Sequence, residues 1–160
     1  MSEGKCLTDR VVVVTGAGRG IGREIAVRLA RDGATVVAHY AHSKTGADQT
    51  VARIEAEGGR AVAYQADIVR RPEVTAMFER IDADLGRIDI VVNNSGVGSG
   101  GLLADVTDDQ IEEMVGVNML GPLYIASEAA KRLPEGGRII NFSSSAAKYP
   151  MAGAGLYVAA

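Results

Sequence analysis

The sequence carries a single cysteine, Cys6, among 160 residues. No internal disulfide can form, and no second thiol stands at metal-ligand spacing. Cys6 also falls outside every motif described below and is read as incidental. No apolar run approaches the length of a membrane span. The opening stretch, Met1–Arg10, is polar and holds nothing of signal-peptide length. Basic residues are not in excess: the net charge of −3 argues against nucleic acid or an anionic membrane as the main partner. His39 and His42 have no third ligand nearby, which speaks against a metal site. Together these absences suit a soluble protein of a reducing cytoplasm.

The chain is one domain's worth, residues 1–160, with ordinary apolar content for a globular core. Its most informative stretch is Val11-Val12-Val13-Val14-Thr15-Gly16-Ala17-Gly18-Arg19-Gly20-Ile21-Gly22. Four valines without polar alternation read as a strand buried on both faces. Ile21, Ile25 and Leu29 then recur at helical spacing. A sharp turn between strand and helix aims backbone N–H groups at a helix N-terminus, where the helix dipole also favours an anion. Glycines let a phosphate approach that backbone closely. A tight turn without ligand explains one or two glycines, but four in seven residues favour the anion site.

Strands and helices alternate along the chain. Strands are expected at about Arg10–Thr15, Thr35–Ala38, Ala61–Tyr64, Ile88–Val92 and Ile139–Phe142. Helices are expected at about Gly20–Asp32, at Thr45–Glu57 with Val51 and Ile54 inward, and from Pro72 to Gly86 with Val74, Met77, Phe78 and Ile81 inward. Such a series implies an α/β fold, a doubly wound parallel sheet with helices on both faces. Ligands then sit beyond the carboxyl ends of the strands.

The second strand runs into Tyr40-Ala41-His42-Ser43-Lys44 and lacks the acid that binds ribose hydroxyls in NAD sites. Arg19, Ser43 and Lys44 suit a 2′-phosphate instead, so NADP(H) is expected over NAD(H). His39, His42 and Lys44 also admit a second reading as a solvated turn. The third strand closes at Asp67, a helix cap or a ligand contact. The fourth runs into Asn93-Asn94-Ser95-Gly96, whose amides can brace a loop, touch a cofactor, or do both. Residues 97–101 are expected to form a flexible loop over the site.

Thr107 and Gln110 form a capping box for the next helix, with Ile111, Met114 and Val115 as its buried stripe. Asn118 falls near that stripe. Pro122 has no N–H, so the Asn118 carbonyl loses its helical partner and a kink is expected there. A freed carbonyl beside an inward amide calls for water or ligand. From Gly121 the helix continues to about Leu133. After the fifth strand come Ser143-Ser144-Ser145 and, thirteen residues after Ser144, Tyr157. A phenol can protonate the oxygen of a carbonyl that receives a hydride. Its unperturbed pKa of about 10 needs a neighbouring cation to bring it down.

Thr15-Gly16 with Gly20 and Gly22 resembles the T-G-x-x-x-G-x-G motif of the short-chain dehydrogenase/reductase family. Asn-Asn-Ser-Gly resembles that family's N-N-A-G, and Ser144 with Tyr157 resembles its serine and Y-x-x-x-K pair. The resemblance implies a Rossmann-type sheet in order 3-2-1-4-5 and an oxidoreductase interconverting a ketone and a secondary alcohol. A 3-oxoacyl thioester is the default substrate; sugar, polyol, steroid and polyketide ketones stay open. It implies that Tyr157 is the acid/base, Ser144 orients the carbonyl and Asn118 anchors a relay water. Gly16, Arg19, Gly20, Ile21 and Gly22 would hold the phosphates, and Tyr40 and Ser43 the 2′-phosphate region. Asp67, Ile68, Asn94, Ser95 and Gly96 would contact the rest of the cofactor. It further implies a homodimer or homotetramer at full length. The family's lysine would fall just after Ala160, and its later strands would follow. The chain is therefore expected to be C-terminally incomplete, with the fifth strand as an apolar sheet edge. A catalytically inactive nucleotide-binding fragment is the alternative reading.

Overall fold

The computed structural model describes residues 5–98 and 100–160. Residues 1–4 and 99 lie outside that description, and with them part of the polar opening stretch and of the 97–101 loop. The valine run forms β1 (Val11–Val14), every residue of it buried. The other strands are β2 (Thr35–Tyr40), β3 (Arg60–Gln65), β4 (Ile90–Asn93) and β5 (Arg138–Asn141). All pairings are parallel, and the sheet order is β3-β2-β1-β4-β5. The chain builds outward from β1 to β3, then returns to the other side of β1 with β4. The carboxyl ends of β1 and β4 flank the point where the winding reverses, and a crevice opens there.

Helices α1 (Gly20–Arg31) and α2 (Lys44–Ala56) cover one face. Val12, Val14, Val36 and Ala38 meet Ala26, Val27, Ala30 and Ile54 there. Helices α3 (Arg71–Leu85) and α5 (Gly121–Ala130) cover the other, burying Val74, Met77, Phe78, Ile81 and Ile125 against Val11, Val13, Val37 and Val91. The inward face of α1 is thus made of small residues. Ile21 is 64% exposed at its first turn, and Ile25 and Leu29 lie along the margin of the core. The periodic isoleucine–leucine row marks the helix but not its buried face.

α4 (Asp108–Val115) starts with the expected capping box, Thr107 with Gln110. Met114 is buried, but Ile111 is 42% exposed, so the expected stripe is narrower than the sequence suggested. The kink expected at Pro122 takes the form of a π turn, Gly116–Leu120, in which the Gly121 amide donates to the Gly116 carbonyl. The wider turn carries the chain past the residue without an N–H, and the helix resumes as α5. β5 is the edge strand, with Ile140 and Phe142 each 48% exposed. A short helix, α6 (Gly155–Ala159), carries Tyr157. No described helix is long and apolar enough to cross a membrane.

At the amino end of the sheet, buried Asp89 accepts from the Val11 amide at 2.9 Å and from Arg10 at 2.7 Å, and it pairs with Arg87. Burial opposes its ionisation. Arg87, the Val11 amide and Arg10 outweigh that and hold the carboxyl below the usual range. This network locks β1 to the segment entering β4 and fixes the register on which the crevice depends.

Candidate nucleotide-binding and active site

The glycine turn sits at the carboxyl end of β1. Gly16 and Gly20 have φ of 66° and 54°, the left-handed region that favours glycine. No side chain caps α1, and its first turn carries no acid. The amides there are free for an anion of phosphate type, and the exposed Ile21 borders the same opening.

Several side chains hold this turn in place through contacts the sequence does not announce. The buried Thr15 hydroxyl accepts from the amides of Asn94 and Ser95, each at 3.0 Å. The Asn94 side-chain Nδ2 donates back to the Thr15 carbonyl at 2.9 Å. The expected Asn94 contact is therefore first a brace between β4 and the glycine turn. On the other side, Thr50 donates to the Ala17 carbonyl at 2.8 Å, and Arg23 reaches the Gly18 and Gly46 carbonyls. Gly18 lies against the start of α2, where a side chain would press on the Ala47 amide and approach the Ser43 carbonyl. Gly18 thus sets the glycine turn against the α2 N-terminus. Ser43 stands at the N-cap of α2 without using its side chain as a cap, and the first turn of α2 has no acid. Lys44 is tied to Asp48 at 2.7 Å. That exposed pair is worth little and can be redirected by a stronger anion.

Tyr40 is buried at the end of β2, and its carbonyl accepts from the Ala66 amide at 3.1 Å. Asp67 caps the Val69 amide at 3.2 Å and lies 3.5 Å from Arg70. Asp67 thus caps the turn after β3. The Ile68 side chain is buried in the core against Gly121, which leaves only its backbone for a ligand.

A cleft of about 520 Å³ opens beyond β4 and β5. Asn94, Ser95, Gly96, Asn118, Ser144 and Tyr157 all line it, together with Asn93 and Asn141. The Asn118 side chain is fully engaged: it accepts from the Val97 amide and donates to the Val97 carbonyl, each at 2.9 Å. It pins the loop after β4 to the π turn. Ser144 Oγ accepts from the Ala146 amide at 3.2 Å, which leaves its own proton available to an acceptor in the cleft. Asn93 donates to Asn141 at 2.8 Å and to the Pro122 carbonyl at 3.3 Å. Lys148 lies over the Tyr149 ring at 5.3 Å. Among the described residues, no three His, Cys, Asp or Glu side chains gather as for a metal ion.

The model of the short chain dehydrogenase family matches residues 10–160. The chain belongs to that family. Versicolorin reductase 1 of Aspergillus parasiticus is 46% identical over 149 residues, covering 92% of this chain and 56% of that protein. A short chain dehydrogenase of Burkholderia cenocepacia, solved in complex with NADP, is 42% identical with a TM-score of 0.90, covering 96% of this chain and 63% of the other. The landomycin C-6 ketoreductase, solved with bound NADP and rabelomycin, is 36% identical with a TM-score of 0.90, covering 96% and 65%. The chain spans about half the length of the curated relatives it matches.

In this short chain dehydrogenase, His39 is neither in a solvated turn nor open to a ligand. It is 1% exposed, beneath the glycine turn. Burial pushes its pKa down to about 4, partly offset by the bond to Ala66 and the charge of Asp67. The folded state therefore holds His39 neutral, whereas the unfolded chain protonates it near pH 6.5. Between those values the unfolded state binds more protons, so stability falls as pH drops from 6.5 towards 4. The loss reaches about 3 kcal/mol at the lower end. Urea unfolding of wild type and His39→Asn should show it: between pH 7 and pH 5, wild type loses about 2 kcal/mol more than the variant. Parallel losses in the two proteins would contradict this account.

Proposed function

We propose that the protein carrying this chain is an NADP(H)-dependent oxidoreductase that interconverts a ketone and a secondary alcohol. The observation that carries the reading is the convergence of Asn118, Ser144 and Tyr157 on one cleft. Thr15 and Asn94 tie that cleft to the glycine turn. Relatives named as reductases, and neighbours solved with NADP, support it.

Gly16, Arg19, Gly20, Ile21 and Gly22 would hold the diphosphate through backbone amides. Arg19, Tyr40 and Ser43 would surround the 2′-phosphate, with no unpaired acid at the start of α2 to repel it. Asp67 and Ile68 would flank the adenine, and Asn94, Ser95 and Gly96 would run along the nicotinamide half. The bound cofactor supplies or accepts the hydride. The remaining chemistry belongs to side chains. Ser144 Oγ donates a hydrogen bond to the substrate carbonyl oxygen. Tyr157 Oη gives that oxygen its proton as negative charge develops there. The Asn118 side chain is committed to Val97, so the carbonyl that Pro122 frees would hold the relay water. In the family pattern a lysine four residues after the tyrosine eases proton loss from the phenol, and it would fall at the position after Ala160.

The test is a panel of 3-oxoacyl thioesters and of sugar, steroid and polyketide ketones, given to the protein expressed from its own gene with NADPH. The reading expects NADPH to be consumed in step with alcohol formed from at least one class. NADPH binding without turnover of any class would overturn the oxidoreductase assignment and leave only nucleotide binding.

A further inference from the structure

His39 is a buried titratable side chain that the proposed chemistry does not use. Its two ring nitrogens face two different segments of the site. Nδ1 lies 3.3 Å from the Gly16 amide nitrogen, and Nε2 lies 2.9 Å from the Ala66 carbonyl oxygen. The Gly16 N–H can only donate and the Ala66 carbonyl can only accept. One protonation state satisfies both: neutral imidazole with the proton on Nε2. A second proton on Nδ1 would set two donors against each other.

We propose that His39 is a positioning residue for the cofactor. It clamps the glycine turn, which opens on Gly16, to the turn after β3, which begins at Ala66. These segments would hold the diphosphate and the adenine, and they lie 23 and 27 residues from His39 in sequence. The clamp sets the orientation of the Gly16 peptide, at the left-handed glycine that starts the turn. Two neighbouring contacts share the task from above: the Ala17 amide donates to the His39 carbonyl at 3.0 Å, and the Ala66 amide to the Tyr40 carbonyl at 3.1 Å. Backbone bonds thus join the same segments, and the imidazole adds the link that fixes the glycine. This inference rests on the nucleotide-binding reading above.

Side-chain amides separate the two halves of the clamp. In His39→Asn, Oδ1 can take the place of Nδ1 and keep the Gly16 bond, but nothing reaches Ala66. In His39→Gln, Nε2 can take the place of the ring Nε2 and keep the Ala66 bond, but Gly16 is left unpaired. His39→Phe loses both. Each variant, made in the protein expressed from its own gene, is titrated with NADPH by fluorescence, and its thermal unfolding is followed without ligand. The expected result is a Kd within about threefold of wild type for Asn and raised about tenfold or more for Gln and Phe, even where Asn and Gln are equally destabilised. Nitrogen NMR of histidine-labelled wild type should show an unprotonated Nδ1 and a protonated Nε2 for His39 at neutral pH. A proton on Nδ1, an unchanged Kd in Gln, or a Kd that merely follows melting temperature across the series would overturn the proposal. If wild type does not bind NADPH, the nucleotide-binding reading itself fails.

Discussion

Replacing Tyr157 with phenylalanine is expected to lower kcat for ketone reduction by about 10²–10⁴-fold, the range for loss of a positioned proton donor. The ring stays, so its packing beside Gly98 stays with it. Only the hydroxyl, with its proton, is removed. NADPH affinity should remain within about twofold of wild type, because Tyr157 is carried by α6 and the proposed phosphate donors belong to the turn before α1. Steady-state kinetics and a direct cofactor titration check the two halves together. A phenylalanine variant with full kcat would remove Tyr157 from the chemistry and leave Ser144 as the sole proton donor of the expected set.

Gly22→Ala is expected to damage the cofactor site more than any other single methyl in the glycine turn. A Cβ there would collide with the Asn94 side-chain nitrogen and with the Gly16 carbonyl. The second of these is backbone and cannot swing aside. The first is the amide that bonds the Thr15 carbonyl at 2.9 Å, so displacing it unties β4 from the turn. Overpacking of this kind lowers stability by about 1–3 kcal/mol. NADPH affinity should fall at least about tenfold as Gly16 is pushed out of place. Gly20→Ala makes a useful contrast. A Cβ at Gly20 meets nothing within 4 Å, and only the φ of 54° resists it. Its stability loss should be limited to about 1–2 kcal/mol of backbone strain. The order of the two variants in NADPH affinity, Gly22 worse than Gly20, is the feature to check; the reverse order would mean that the packing around Gly22 does not set the site.

Much of this fold was legible before the structure. β1 announces itself because a parallel central strand is buried on both faces and needs no polar alternation. The capping box of α4 and the break at Pro122 follow from local rules about donors, and both are present. The form of the break was not legible, since a missing N–H permits a kink or a π turn and packing decides between them. Periodicity misled on which face is buried. Ile111 has the right spacing yet stays 42% exposed, and the interior side of α1 is glycine, alanine and valine, which periodicity of large residues does not reveal. Lys44 suited either a 2′-phosphate or a solvated turn, and Asp48 four residues on, the usual helical partner, pairs with it.

The candidate site divided along the same line. Glycine spacing, Asn118 and Ser144 stood out because each sits at a strand end or a helix break, and Tyr157 because of its spacing from Ser144 in the family pattern. The long-range contacts that hold them together did not. Thr15, Thr50, Arg23 and His39 act on partners far away in sequence, such as Asn94, which is 79 residues from Thr15. Nothing in a window around His39 distinguishes a solvated turn from a clamp. Only the closure of β2 against β3 and the glycine turn buries the ring and gives each nitrogen its partner.

The central claim is that the crevice beyond β1 and β4 binds NADP(H). The most direct measurement is a calorimetric titration of the protein expressed from its own gene with NADPH and, separately, with NADH. Arg19 and Ser43 beside the uncapped start of α2 predict that NADPH binds about 100-fold more tightly, the worth of one or two charge-assisted hydrogen bonds to the 2′-phosphate. Equal affinity for the two would contradict the phosphate assignment, and no heat with either would contradict the nucleotide site as a whole.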